Sequence, residues 1–151
     1  MKQIITIGSW LVCLLLLSCD KETVVGEMPS ISSVPTLSDL EISPGTINQF
    51  GTLNFSFSYT DGNGDIGFED PDYKSLQIID NRADIVHEYH IPPQSPVENI
   101  IIRSVIEVSL NNVILLDQTS ISEDVTFTIR LQDRDLNWSN ELVSEPITIL
   151  K

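Results

Sequence analysis

Between Leu53 and Thr60 apolar and polar residues alternate without a break. Leu53, Phe55, Phe57 and Tyr59 share one parity; Asn54, Ser56, Ser58 and Thr60 share the other. Successive side chains of a strand point to opposite faces, so this run makes a ribbon with one apolar face. A helix would scatter the same four side chains around its axis. One apolar face needs a second layer to cover it, so the rest of the chain must supply more strands.

The remaining sequence does so. Leu40 and Ile42 flank Glu41. Leu76 to Ile79 is a short apolar run, and Ile85 to Ile91 is β-prone. Ile106, Val108 and Leu110 alternate with Glu107 and Ser109. Asn111-Asn112 reads as a turn, with Val113 to Leu116 as a further strand. Val125, Phe127, Ile129 and Leu131 alternate with Thr126, Thr128, Arg130 and Gln132, and Ile147 and Ile149 flank Thr148. The expected fold is all-β: an immunoglobulin-like β-sandwich of about seven strands over residues 37–151. Barrel closure is the lesser option, and without a Cys…Trp…Cys pattern the domain is not of the antibody type.

The chain begins differently. Met1-Lys2-Gln3 is followed by the apolar run IITIGSWLVCLLLL, too short for a spanning helix of about 20 apolar residues but suited to a secretory signal. Residues 16–19, Leu-Leu-Ser-Cys, resemble the lipobox of bacterial lipoproteins. That resemblance implies cleavage after residue 18 and a lipidated Cys19 as first mature residue. Cys13 then leaves with the signal, and the mature chain has neither a free thiol nor a disulfide. Asp20-Lys21-Glu22 resembles the Lys-plus-acid export signal of surface lipoproteins, in the order acid-Lys-acid, whereas an Asp directly after the Cys favours the inner membrane in the enterobacterial rule. Residues 19–36 read as a flexible linker reaching roughly 20–25 Å. The expected location is the cell envelope, on the outer membrane, with the lipid as membrane partner.

The chain holds 22 acids and 8 bases, a net charge of −14. A phosphate backbone selects Lys and Arg surfaces, so nucleic acid is excluded as a partner. The acids are not evenly spread. In YTDGNGDIGFEDPD, residues 59–72, oxygens recur at Asp61, Asn63 and Asp65, with Glu69 and Asp72 behind them and no base between. Glycines let a backbone bend so that oxygens converge. Ca²⁺ takes about 6–8 oxygens. As an EF-hand the loop fails, since Ile66 stands where that loop needs Gly. A second acidic turn supplies Asp133, Asp135 and Asn137. In an immunoglobulin-like order these are the B–C and F–G loops, which emerge at one end of the sandwich. Two readings stand side by side. Either Ca²⁺ bridges the two loops, or they are solvated turns in which Arg134 neutralises part of the charge.

FSYTDGNGDIG and RLQDRDLNWSNELVSEPITI together resemble small surface lipoproteins of Bacteroidota with an immunoglobulin-like or fibronectin-like domain. Those carry an Asp-Gly-rich DGDGDIG turn; here Asn63 stands in place of the middle Asp. The resemblance implies a fold and a location, and little about activity.

Other chemistry is sparse. His87 and His90 sit three apart, on opposite faces of a strand, which does not make a metal pair. No Gly-x-Ser-x-Gly elbow, phosphate loop or dinucleotide fingerprint occurs. The expected role is therefore non-catalytic: a binding or assembly module with an unidentified protein or glycan partner. The alternative is a glycan-binding accessory module of a surface polysaccharide system. For it, Trp138 is the candidate stacking residue, although burial under the end of the core is the plainer role for it.

Overall fold

Residues 31–95 and 100–151 are described in a computed structural model. The expected signal segment 1–18, Cys19 and the linker as far as residue 30 lie outside the described residues. Among the described residues the regular structure is all strand. In chain order the strands are β1 Thr36–Ser43, β2 Thr46–Asn48, β3 Gly51–Asp61, β4 Leu76–Asp80, β5 Ile85–Tyr89, β6 Ile102–Val113, β7 Ser122–Val125, β8 Phe127–Leu131, β9 Leu142–Val143 and β10 Ile147–Leu150.

They form three sheets, ordered β1-β3-β6, β5-β4-β8-β9 and β2-β10-β7. All pairings are antiparallel except β10 with β2. The long alternating run is β3, at the centre of its sheet; Leu53, Phe55, Phe57 and Tyr59 are buried on one face. Phe127 and Ile129 of β8 and Leu76 and Ile78 of β4 meet that face in one hydrophobic cluster. Phe55 and Phe127 bridge two sheets edge-to-face, with centroids 5.2 Å apart, a geometry aromatic quadrupoles favour.

Two bulges keep the apolar parity in phase. In β1, Leu37 and Leu40 are three residues apart yet both pack on the core, because the register with β3 shifts between Ser38 and Glu41, where Asp39 takes φ 54°. In β6, Leu110 and Val113 are likewise three apart and both buried. There Asn112 takes φ 58°, and the register slips between Gly51 and Leu53 of β3. Asn111-Asn112 is thus a bulge within β6 and not the expected turn, and Leu115, beyond the strand, is buried from a loop. Asparagine tolerates positive φ in a bulge as well as in a turn, so the dipeptide alone does not distinguish them. The strand count rises from about seven to ten through the short β2, β7 and β9, each of two to four residues.

β3 ends at Asp61 and β8 at Leu131. Leu131 pairs with Leu76 at the start of β4, and Asp80 at the end of β4 pairs with Phe127. The molecule therefore has two poles along its strands. The loops after β3 and β8 share one; the β4–β5 turn shares the other with the start of β8.

Candidate functional site

The acidic pole is built on Ile66. This side chain is fully buried, and it turns the loop after β3 back into the core. Ile66 forms an isolated antiparallel bridge with Asp133, and the Arg134 amide donates to the Asp65 carbonyl at 3.1 Å. Backbone bonding thus joins the two acidic loops directly.

Within the first loop, Asp61 folds its own turn. Its Oδ2 accepts from the amides of Gly64 at 2.6 Å and Asp65 at 3.1 Å. Gly64 and Gly67 lie at φ 78° and 90°, a region other residues enter at a cost. A Cβ on Gly67 would also overlap the Pro92 carbonyl, and one on Gly62 the carbonyls of Ile31 and Ser32. The glycines therefore let other segments of the chain approach this loop. Residues 91–94 are one of them: Phe68 N–H donates to the Ile91 carbonyl and Gln94 N–H to that of Ile66.

In the second loop both oxygens of Asp133 are engaged by Asn137. Oδ1 accepts from its backbone amide at 2.7 Å and Oδ2 from its side-chain amide at 3.0 Å. Arg134, the expected neutraliser, donates from Nη1 to the Gly67 carbonyl at 3.5 Å.

In the first of these loops three side-chain oxygens lack a hydrogen-bond partner and are shut off from solvent: Oδ1 of Asp61, Oδ1 of Asn63 and Oδ1 of Asp65. Asp61 is 0% exposed and Asp65 7%. An ionised carboxylate out of water, with an oxygen unmatched, is costly. The titration shifts show it. Burial pushes Asp61 up from the usual carboxylate range, with Asp133 adding to the rise. Burial, then the charges of Asp133, Asp61 and Asp135, push Asp65 up to about 6. Burial and the charge of Asp61 raise the Tyr59 hydroxyl as well.

Asp61, Asn63, Asp65, Asp133 and Asn137 are thus brought together, with the exposed Asp135 acting on Asp65 through space. Glu69 and Asp72 are exposed, in a separate surface turn where Asp70 Oδ1 accepts from the Asp72 amide at 2.9 Å and Phe68 stacks on Tyr73 at 3.9 Å. Among the described residues no three His, Cys, Asp or Glu side chains form a metal-binding group. The unmatched oxygens come from two carboxylates and one amide, a mixture that suits Ca²⁺ rather than Zn²⁺. Trp138 is half-buried, and the Arg130 guanidinium lies over its ring at 4.4 Å. His87 lies in β5, and His90 lies beyond it with Nδ1 3.1 Å from the Tyr73 carbonyl.

Sequence reasoning missed Ile66 as the anchor of the loop, although the "I" of DGNGDIG was legible as a lone apolar residue among polar ones. It also missed a second buried acid. Period-2 counting along Leu76, Ile78 and Asp80 puts Asp80 on the core face, where it is 4% exposed.

Compared with protein-family models, curated proteins and solved structures, the chain has no match.

Proposed function

We propose that this chain is a non-catalytic, lipid-anchored protein of the bacterial cell envelope, whose β domain binds or assembles with a partner and is braced at its acidic pole by Ca²⁺. The observation that carries the cation is the set of buried, unmatched oxygens on Asp61, Asn63 and Asp65. Two carboxylates and an amide would supply part of the oxygen shell, with backbone carbonyls or water completing it. The positive charge would relieve the mutual repulsion that raises Asp65. Its effect would reach the second loop through the Ile66–Asp133 bridge.

The sheet orders β1-β3-β6 and β5-β4-β8-β9, with one shared core, support reading the domain as an immunoglobulin-like or fibronectin-like sandwich. The lipobox supports the anchor, and the proposed membrane attachment is Cys19. The described chain starts beside Gly62, so the tether would join the domain at the acidic pole.

Melting the full chain in chelator and in millimolar Ca²⁺ tests the cation. At a hundred times Kd the expected gain is ~2.7 kcal/mol, several degrees in Tm. An unchanged Tm ends the calcium reading. For the anchor, Cys19→Ser should abolish labelling by a radioactive fatty acid; undiminished labelling would place the lipid elsewhere, and no labelling of the parent would dismiss it.

A further inference from the structure

Among the described residues, the side-chain hydrogen bonds between the sheet edges of β1 and β9 lie at one place, just before β9. There Asn140 Oδ1 accepts from the Leu37 amide at 2.7 Å, and its Nδ2 donates to the Leu37 carbonyl at 3.1 Å. Farther along, β1 continues to Ser43 while the chain leaves β9 through Ser144 and Glu145 toward β10. The gap between them is a groove of about 1020 Å³. Phe55 and Ile147, both buried, and the half-buried Ile42, Val108 and Leu142 line it. Each edge strand is outermost in its sheet, so neither has a strand neighbour on this side.

The rim has one sign of charge. Glu41, Glu107 and Glu145 line the groove, and no Lys or Arg does. All three are exposed, and among the described residues none of their carboxylates makes a hydrogen bond or an ion pair. Some other surface acids are used locally: Glu88 accepts from Gln77, Asp124 from Thr148 and Asp117 from Thr119. A like-charged rim beside an open edge disfavours pairing with a second copy of this acidic chain. It favours an occupant of the opposite charge.

We propose that this groove receives an extended, basic peptide segment of a partner protein. The segment would lie along the edge of β1 as an added strand. Its apolar side chains would enter the cleft over Phe55 and Ile147, and alternate Lys or Arg side chains would meet Glu41 and Glu145, with Glu107 adding to the negative field. Strand addition draws affinity from main-chain hydrogen bonds and specificity from alternate side chains, and the groove offers both. About four residues of strand, roughly 13 Å, would occupy the edge from Leu40 to Ser43.

The test is fluorescence anisotropy on the full chain in nonionic detergent, with a labelled peptide of alternating Val and Lys as probe and a Val/Glu peptide as control. The expected result is saturable binding of the Val/Lys peptide only, weakened at least tenfold in Glu41→Lys/Glu145→Lys. Asp70→Lys/Asp72→Lys, on exposed acids outside the groove, should bind almost as the parent does. Amide exchange should slow at residues 40–43 when the Val/Lys peptide is present. No binding, equal loss in both double variants, or binding without protection of residues 40–43 would each overturn the proposal. Circular dichroism of the variants separates loss of binding from loss of fold, and Val108→Lys, which fills the cleft without touching the rim, gives an independent block.

Discussion

At one pole of the molecule Asp80 and Glu123 converge on Arg82; at the other Asp61, Asp65 and Asp133 converge on each other. Arg82 binds Asp80 through two parallel contacts, Nε to Oδ1 at 3.0 Å and Nη2 to Oδ2 at 2.6 Å, and reaches Glu123 Oε2 from Nη1 at 2.6 Å. Glu123 also accepts from the Leu116 and Asp117 amides. The Leu116 amide and then the Asp117 amide and Arg82 hold its carboxyl below the usual carboxylate range. At the acidic pole the charges that raise Asp65 are those of three other aspartates, and the shift goes the other way. The same residue type, buried on the same β scaffold, is thus matched by an internal cation at one end and left with unmatched oxygens at the other. Two poles solved alike would need no ligand; this contrast is what points outward from the chain.

The sharpest way to break the comparison is to remove the internal cation. Arg82→Met leaves Asp80 4% exposed and without its guanidinium. Breaking one partner of a buried pair costs about 3–4 kcal/mol. Denaturant unfolding should show that loss, and a loss under 1 kcal/mol would mean that Asp80 is reached by water after all.

Next comes backbone at the acidic pole. Gly67→Ala places a Cβ at φ 90° and against the Pro92 carbonyl. Strain and overlap together should cost about 3 kcal/mol and weaken any Ca²⁺ response, because the loop and residues 91–94 would part. Unaltered stability would show that this loop is looser than its hydrogen bonds suggest.

The same substitution at each pole should then have opposite signs. Asp80→Asn loses a charge-assisted bidentate pair and should destabilise by about 2 kcal/mol. Asp65→Asn removes a repelled, buried charge and should stabilise the calcium-free protein by about 1 kcal/mol at neutral pH, while removing the gain from Ca²⁺. If both variants destabilise equally, the poles are not different in kind.

How much of this was legible depends on the range of the interaction. Strand parity is local, so Leu53 to Tyr59 announced β3, and Phe127 to Leu131 announced β8, without further help. The bulges at Asp39 and Asn112 were not legible, because a positive φ at Asn or Asp serves a turn equally well. The alternate oxygens of Asp61, Asn63 and Asp65 were visible as a pattern. Their burial was not, since it depends on Ile66 and on residues 91–94 folding over the loop. Glu69 and Asp72 carry the same composition signal, yet they stand in solvent. Asp80 was hidden for the converse reason: an Asp-Asn-Arg sequence after an apolar run looks like an ordinary turn, and the Glu123 that shares Arg82 with it lies 41 residues beyond that arginine.

A modest effect separates the poles in a single titration. Asp65 has a folded value of about 6, above its usual 3.8. The folded state therefore holds that proton more tightly than the unfolded chain does. Its stabilising contribution is full below about pH 3.8 and is lost as pH rises through about 6. Allowing for screening, the loss is about 1–2 kcal/mol. Glu123 is shifted downward, so its contribution is present above its usual 4.5 and is lost as pH falls through the depressed folded value. Between pH 4.5 and 7 the Asp65 effect dominates, and the calcium-free protein should become less stable as pH rises. Asp65→Asn should flatten that slope, and saturating Ca²⁺ should reverse it, since the ion binds the ionised carboxylate. A slope that survives Asp65→Asn unchanged would move the titration to another group and take with it the claim that this carboxylate lacks a counter-charge.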